Sequence, residues 1–218
     1  FEGKIEVPQF YLVKTMAELV KAAEKLGYPE KDVVFKPPEG KGARGVRVLT
    51  EKSDRYDLLF NGRPFAKYIS MDELKSTVGE NEIPELMIME YLDGVELKID
   101  PVLHNGEMLT CSVKNRLNFA SGLAMGFEMI KNQAALDYAR ELLEHLPMDY
   151  CIDISTRGGV LMEINPRVST YIYGENYCPP YLSLKLAMGE MTSDEVRTYQ
   201  KELPIGKKMF RYYGQIDY

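Results

Sequence analysis

The sequence lacks any apolar run long enough to span a bilayer, and it has no pattern typical of a secretory signal peptide. It contains only three cysteines, Cys111, Cys151 and Cys178, which are far apart and lack the spacing of a metal-binding pair. We therefore predict reduced thiols in a cytoplasmic protein that has no membrane partner.

An excess of positive charge is also missing. The formal net charge is −6, from 27 basic and 33 acidic residues, and no basic face stands out. Nucleic acid needs such a face, so the sequence predicts no nucleic-acid partner. A negatively charged substrate would instead need a few cations placed locally. The 218 residues, 45% of them hydrophobic, suffice for one large domain or two small ones.

A glycine-rich segment at residues 33–50, "VVFKPPEGKGARGVRVLT", carries G-x-G-x-x-G at Gly40, Gly42 and Gly45. In a dinucleotide-binding fold a helix begins at the third glycine, whereas "GVRVLT" alternates like a strand. In a protein kinase the phosphate-binding lysine follows the loop, but here Lys36 precedes it, and no H-R-D or D-F-G motif occurs. A P-loop would need Gly-Lys-Ser/Thr after the last glycine, and this is absent.

The order that remains is strand, lysine, glycine loop, strand. It favours a lid over a triphosphate with Lys36 below it, because glycine backbones can bring N–H groups close to phosphate oxygens. A glycine-rich hairpin without a ligand is the alternative.

Capping boxes and turn signals divide the chain into short alternating elements. The predicted helices begin after Thr15 (with Glu18), after Ser70 (with Glu73) and at Asn132 (to about His145), and two more lie at 181–189 and 193–201. Asn105-Gly106 predicts the turn of a long hairpin. Pro84 precedes "ELMIMEYL", a buried strand that would join two lobes. We expect a small α+β lobe over residues 1–85 and a larger lobe over 86–218.

A second hairpin is expected from strands at 149–154 and 160–165 around the turn "STRGG". If the apolar sets of both strands share the buried face, residue 149 lies opposite residue 165, and Asp149, Glu163 and Asn165 converge. Two carboxylates and a carboxamide oxygen are suitable ligands for Mg²⁺. A solvated acidic strand face is the alternative interpretation.

Arg167 follows two residues after this set. It keeps the same side if the chain stays extended, and it would then add a cation for phosphate oxygens.

Four segments in this order resemble the ATP-grasp superfamily: "ELVKAAEKLGYP", "VVFKPPEGKGARGV", "MEYLDGVELKID" and "LMEINPRVST". Within it, the chain is similar to the branch that includes the large chain of carbamoyl-phosphate synthetase, biotin carboxylase and other carboxylate–amine ligases. The resemblance implies an α+β ATP-grasp fold, with two α+β lobes whose antiparallel sheets sandwich ATP. It also implies that the glycine loop is a mobile lid and that Lys36 contacts the α and β phosphates.

The same resemblance assigns residues to the adenosine. Adenine is expected to contact the inter-lobe strand at Glu90, Tyr91 and Leu92, and Glu96 to hold the ribose hydroxyls. One departure concerns Met89, which stands where relatives often carry an acid for the adenine amino group. Glu90 comes one place later, which would turn its side chain to the other face of the strand.

The resemblance also assigns the reacting end of ATP. Arg116 resembles the arginine that meets the γ-phosphate or the acyl phosphate, and Glu163 and Asn165 match the metal ligands. Branches of the family vary at the further ligand, so either Asp149 or Asp153 remains open for that role.

The implied activity is an ATP- and Mg²⁺-dependent ligase that joins a small-molecule carboxylate to an amine or ammonia through an acyl phosphate. A nucleotide-binding regulatory or degenerate module without ligase activity is the alternative, favoured by Met89. Family members usually carry a further domain before the segment that starts here at Phe1. We accordingly expect a missing N-terminal domain or a partner subunit. No residue pattern identifies the carboxylate or the amine.

Overall fold

The computed structural model describes residues 5–39, 44–61, 67–120, 123–169 and 176–210. The chain forms two compact units, Pro8–Leu92 and a larger unit of Phe1–Val7 with Asp93–Tyr218. The division falls after Leu92 rather than after residue 85, because the strand expected to open the larger lobe is hydrogen-bonded into the sheet of the smaller unit.

The smaller unit contains a five-stranded sheet in the order β1, β5, β2, β3, β4. All neighbours are antiparallel except β3 and β4. The strands are β1 (Phe10–Val13), β2 (Val33–Lys36), β3 (Arg47–Leu49), β4 (Tyr68–Ile69) and β5 (Leu86–Glu90), and the helices are α1 (Met16–Lys25), α2 (Arg55–Phe60) and α3 (Met71–Val78).

Helix α1 begins with the predicted capping box. The Thr15 hydroxyl accepts the Glu18 N–H at 3.2 Å, and the Glu18 carboxylate accepts the Thr15 N–H at 3.2 Å. The buried side of the helix carries Leu19 and Ala23, which pack in one cluster with Val33 of β2. The capping box predicted at Ser70 is also present, at the start of α3.

The larger unit is built on a seven-stranded sheet in the order β11, β10, β6, β7, β8, β12, with β9 also paired to β6. Its strands are β6 (Glu96–His104), β7 (Glu107–Ala120), β8 (Leu123–Ile130), β9 (Tyr150–Cys151), β10 (Asp153–Arg157), β11 (Val160–Asn165) and β12 (Lys208–Phe210). Its helices are α4 (Gln133–His145), α5 (Pro179–Ala187) and α6 (Ser193–Thr198), the last followed by a 3-10 turn at Tyr199–Glu202.

The β6–β7 hairpin turns at Asn105 and Gly106, as predicted. Both residues have positive φ, 51° and 77°, which a two-residue turn of this kind requires. The paired strands form the centre of the large sheet.

One face of this sheet is apolar and packs against α4. Ile99 and Val113 contribute to a buried cluster with Ala139 and Leu142 of the helix. Because side chains alternate along a strand, the residues between them point to the opposite face, which is polar near the start of β6 and packs Val102 against Leu182 of α5 further along. The α+β architecture with mainly antiparallel sheets is thus confirmed. Among the helices of the described ranges, none has the length and hydropathy needed to cross a membrane.

Candidate functional site

Charged and polar side chains from four adjacent strands share the face of the large sheet opposite α4. We call this set the polar face. Its members are Glu96, Lys98 and Asp100 on β6, Ser112, Lys114 and Arg116 on β7, Asp153, Ser155 and Arg157 on β10, and Glu163 and Asn165 on β11. Most of the β6, β7 and β10 members are buried. Buried charges are costly unless paired, so their pairing defines the chemistry of the face.

The β10–β11 hairpin turns at Gly158 and Gly159, whose φ angles are 59° and 89°. This two-residue turn pairs Arg157 with Val160, and a bulge after Ser155 shifts the register by one residue. As a result Asp153 lies opposite Asn165 and Ser155 lies opposite Glu163.

The expected convergence of Asp149 with Glu163 and Asn165 is therefore wrong. The turn was expected to span "STRGG", whereas β10 continues to Arg157 and only the two glycines turn. Asp149 lies before β9, and its Oδ1 accepts the backbone N–H of Asn105 at 2.5 Å, at the turn of the other hairpin. Asp153 takes the position beside the Glu163 and Asn165 pair.

Lys98 is the central cation of this part of the polar face. Its Nζ lies 3.0 Å from Asp153 Oδ1 and 3.3 Å from Glu163 Oε1, and it donates a hydrogen bond to Ser155 Oγ. Lys98 was not among the site residues predicted from the sequence, although strand alternation places it on the same face as Glu96.

The hydrogen bonds to the Glu163 carboxylate all reach one of its two oxygens. Oε1 accepts hydrogen bonds from Ser155 Oγ at 3.2 Å and Asn165 Nδ2 at 3.1 Å, in addition to Lys98. Within the part of the chain that the structure describes, neither Glu163 Oε2 nor Asn165 Oδ1 accepts a hydrogen bond. Burial raises the pKa of Glu163, but the charge of Lys98 and the hydrogen bonds outweigh it, so the pKa lies below its usual range.

Arg167 reaches the same cluster from the segment after β11. Its Nη1 lies 3.0 Å from Asp153 Oδ2 and also donates to the carbonyl oxygen of Val168 at 3.0 Å. The side chain is half-exposed, so it can present its remaining donors to a ligand.

Glu96, expected at the ribose, is buried between two arginines. Arg116 binds its Oε1, and Arg157 Nη2 lies 2.7 Å from its Oε2. A ribose hydroxyl would have to share these carboxylate oxygens with the two guanidinium groups. Arg116, expected at the γ-phosphate, is thereby held on the polar face beside Glu96.

Lys114 and Asp100 form a second buried pair on this face, and neither residue was among the predicted site residues. Lys114 Nζ lies 2.6 Å from Asp100 Oδ2 and donates to Ser169 Oγ at 3.2 Å. Burial raises the pKa of Asp100, and the charge of Lys114 opposes that shift.

Lys36 belongs to the smaller unit, at the last position of β2, where it lies opposite Met87. Across the described ranges its ammonium makes no hydrogen bond or ion pair. Gly45 has φ 75°, and an added Cβ would lie 2.8 Å from Pro37 Cδ, so the exit of the glycine loop requires glycine. Gly40 and Gly42 of the predicted lid lie outside the described residues.

Three residues were expected to contact adenine. The first of them is the last residue of β5, and the other two follow that strand. Glu90 is the last residue of β5, and its Oε2 accepts the backbone N–H of Gln9 at 2.9 Å. Tyr91 and Leu92 follow outside the strand and are half-buried. Met89 is buried in the sheet between β1 and β2. The carboxylate of Glu90 therefore already binds the edge of its own sheet.

Two other features bear on the location of the site. No group of three or more His, Cys, Asp or Glu residues suited to a metal occurs in the described residues, so the candidate oxygen set depends on the carboxamide of Asn165.

A cavity of about 550 Å³ near α5 and α6 is lined by Tyr177, Tyr181 and Tyr199, and none of the predicted site residues lines it.

A family model described as "ATP-grasp in the biosynthetic pathway with Ter operon" matches residues 82–206, more than half of the chain. Comparison with curated proteins finds no match.

Solved structures share the fold. Carboxyaminoimidazole ribonucleotide synthase from Aspergillus clavatus, complexed with ATP, has a TM-score of 0.61 at 15% identity, over 87% of this chain and 50% of that chain. N5-carboxyaminoimidazole ribonucleotide synthetase, in its ADP complex, has a TM-score of 0.57 at 16% identity, over 94% and 50%. L-amino acid ligase from Bacillus licheniformis has a TM-score of 0.55 at 19% identity, over 88% and 47%.

The chain thus spans about half the length of these solved proteins. The family match includes β6, β7, β10 and β11, the four strands that carry the polar face. This chain belongs to the ATP-grasp family.

Proposed function

We propose that this chain supplies the ATP-binding part of a ligase that joins a small-molecule carboxylate to an amine or to ammonia. The observation that carries the proposal is the grouping of Glu163, Asn165 and Arg167 at one end of the polar face. Two ligand oxygens and a guanidinium group there suit a nucleotide phosphate with its cation.

The oxygen set fits one Mg²⁺. Glu163 Oε2 and Asn165 Oδ1 come from alternate residues of one strand and accept no hydrogen bond within the described residues. Mg²⁺ takes one or two protein oxygens and completes its shell with water and phosphate oxygens. When bound, it would neutralise charge on the β and γ phosphates.

The cations of the chain would hold the phosphates. We assign Arg116 and Arg167 to the γ-phosphate and the acyl phosphate, since both guanidinium groups lie on or beside the polar face. Lys36 is assigned to the α and β phosphates from its position before the glycine loop. Tyr91 and Leu92 would contact adenine and Glu96 the ribose.

In the proposed reaction, a carboxylate oxygen attacks the γ-phosphorus and ADP leaves, which forms an acyl phosphate. The amine nitrogen then attacks the acyl carbon, inorganic phosphate leaves, and one amine proton is released. No protein nucleophile is needed, because positioning and charge neutralisation supply most of the barrier reduction in phosphoryl transfer. A closed glycine loop would keep water from the acyl phosphate.

The identity of the two substrates is the finer part of the proposal. The sequence resemblance favours chemistry of the carbamoyl-phosphate-synthetase type, and the similar fold of an L-amino acid ligase supports a C–N ligase more generally. A further domain or partner subunit would contribute the acceptor pocket, and the protein would work in the cytoplasm.

A nucleotide-binding module without ligase activity is the second candidate. It is favoured by the two ion pairs of Glu96, which engage both carboxylate oxygens with Arg116 and Arg157. If these pairs persist with nucleotide bound, the ribose loses its expected partner.

The release of ADP and phosphate, measured from Mg-ATP with a panel of carboxylates and amines, separates the two candidates. A ligase releases both products only when a carboxylate and an amine are present together, and Glu163→Gln abolishes the release. Nucleotide binding without turnover for any pair, in the full-length protein, contradicts the ligase and supports the binding module.

A further inference from the structure

The ammonium group of Lys98 occupies the space between two carboxylates that could otherwise share a metal ion. It lies 3.0 Å from Asp153 Oδ1 and 3.3 Å from Glu163 Oε1. Ser155 accepts a further hydrogen bond from it. Three oxygen partners around one ammonium saturate its donors.

This cation is fixed in place by the sheet. Lys98 lies opposite Ser155 on β10 and opposite Lys114 on β7, so its backbone is held on both sides. Its side chain is 10% exposed, and that of Asp153 is 3% exposed. An ammonium group that is this buried cannot leave for solvent without leaving Glu163 with no cation and Asp153 with Arg167 alone.

Charge is already balanced around this inner position. The carboxylates of Asp153 and Glu163 face the cations of Lys98 and Arg167, two negative against two positive charges. A divalent ion placed between the carboxylates would meet two fixed positive charges at short range.

Glu163 also faces a second, outer position. Its side chain is 54% exposed, and its Oε2, like Asn165 Oδ1, accepts no hydrogen bond among the described residues. In two-metal phosphoryl-transfer sites, ions about 3.5–4 Å apart clamp the attacking and leaving oxygens. Here one oxygen of Glu163 contacts an ammonium group and the other faces outward.

We propose that Lys98 is a built-in cation that fills the inner position, so that this site takes a single divalent ion, at Glu163 Oε2 and Asn165 Oδ1. The inference rests on the proposed function, because it concerns the cation that accompanies the nucleotide. The site would then hold one exchangeable metal ion per nucleotide, and the second cation would be the ammonium group of Lys98.

The test counts bound Mn²⁺ by electron paramagnetic resonance, with Mn²⁺ alone and with Mn²⁺ and ADP. The wild type is expected to bind one Mn²⁺ per chain with ADP. Lys98→Met keeps the length of the side chain but removes its charge, and it is expected to bind two, with the line broadening of a close Mn²⁺ pair. Lys114→Met is the matched control, because it also removes a buried lysine from the polar face but next to Asp100, and it is expected to bind one.

Two Mn²⁺ per wild-type chain would overturn the inference and leave the ligase proposal intact. A folded Lys98→Met variant that binds only one Mn²⁺ in the presence of ADP would also overturn the inference and leave the ligase proposal intact. No bound Mn²⁺ in the wild type, with or without ADP, contradicts the metal site of the proposed function itself. If Lys98→Met fails to fold, the wild-type count and its line shape still decide, because two ions sharing Glu163 give a coupled spectrum and one ion does not.

Discussion

Asp153 lies directly opposite Asn165 in the β10–β11 ladder. This pairing depends on a turn of only two residues, Gly158 and Gly159, and on the bulge after Ser155. A turn of a different length would shift β11 against β10 and move Glu163 and Asn165 away from Lys98 and Asp153, which the pairing of β10 with β6 holds together.

The two turn glycines are expected to differ in how well they tolerate a side chain. At Gly158 an added Cβ would overlap the carbonyl oxygen of Asp93, whereas at Gly159 it would meet no atom within 4 Å. Gly159→Ala should cost about 1–2 kcal/mol of unfolding free energy from the positive φ alone. Gly158→Ala should cost about 1–3 kcal/mol more, from the overlap. Urea denaturation of both variants checks this, and an equal loss in the two contradicts the described turn.

The corrected register predicts which aspartate matters for the metal. Asp153→Asn removes the carboxylate that Lys98 and Arg167 share and leaves Lys98 with Glu163 alone, so the net positive charge beside Glu163 rises. Mn²⁺ affinity should therefore fall by about tenfold or more, equivalent to about 1.4 kcal/mol. Asp149→Asn is the control, because that carboxylate binds the Asn105 N–H instead. Mn²⁺ titrations of both variants distinguish them. If only Asp149→Asn lost Mn²⁺ affinity, Asp149 and not Asp153 would be the aspartate that acts on the metal, as first expected from the sequence.

Local signals predicted the elements well. The capping boxes at Thr15 and Ser70, the Asn105-Gly106 hairpin and the helix after Asn132 are all present. Each depends on hydrogen bonds or φ angles within a few residues, which sequence spacing encodes directly. The strand alternation that placed Glu163 and Asn165 on one face also held.

The errors concern pairing between strands. The register of Asp153 depends on where one strand ends, and "STRGG" left that position ambiguous by several residues. Lys98 was missed because its partners Asp153 and Glu163 are 55 and 65 residues away in sequence. Only the sheet order, which places β10 beside β6, brings them together.

Lys36 should decide the affinity for the triphosphate. Lys36→Ala is expected to raise the dissociation constant of a non-hydrolysable ATP analogue by about 10- to 100-fold, because one charged contact to phosphate is lost. Lys36→Arg should rescue little, since a guanidinium fork does not fit a point-charge position. Lys21→Ala, on the exposed side of α1, is the control. Affinities of Lys36→Ala and wild type within twofold of each other would remove Lys36 from the site.

The rate of alkylation of Cys151 should continue to rise with pH beyond the pH at which an ordinary thiol reaches its maximum rate. Burial, partly offset by a hydrogen bond with Ser183, raises the pKa of Cys151 to about 11. The thiolate fraction should therefore rise about tenfold per pH unit from pH 8 to pH 10.5, whereas an ordinary thiol levels off near its pKa of about 8.5. Mass spectrometry of the Cys151 peptide after timed iodoacetamide treatment measures this. A rate that levels off near pH 9 contradicts the buried environment.

The raised pKa of Cys151 should also make the stability of the folded chain depend on pH. Below pH 8 the thiol is protonated in both the folded and unfolded chains. Between the unfolded pKa and about 11 only the unfolded chain ionises, so the contribution of Cys151 to stability should fall as pH rises through that window.

Calorimetric titration with Mg·AMP-PNP tests most directly whether the polar face binds the metal–nucleotide complex. The wild type should bind one nucleotide per chain. Glu163→Gln should raise the dissociation constant at least tenfold with Mg²⁺ present, yet match the wild type when the metal is chelated, because the lost charge acts through the ion. Glu144→Gln, on the exposed side of α4, should bind as the wild type does. No binding heat from the wild type, or equal affinities of wild type and Glu163→Gln with Mg²⁺ present, would contradict the account.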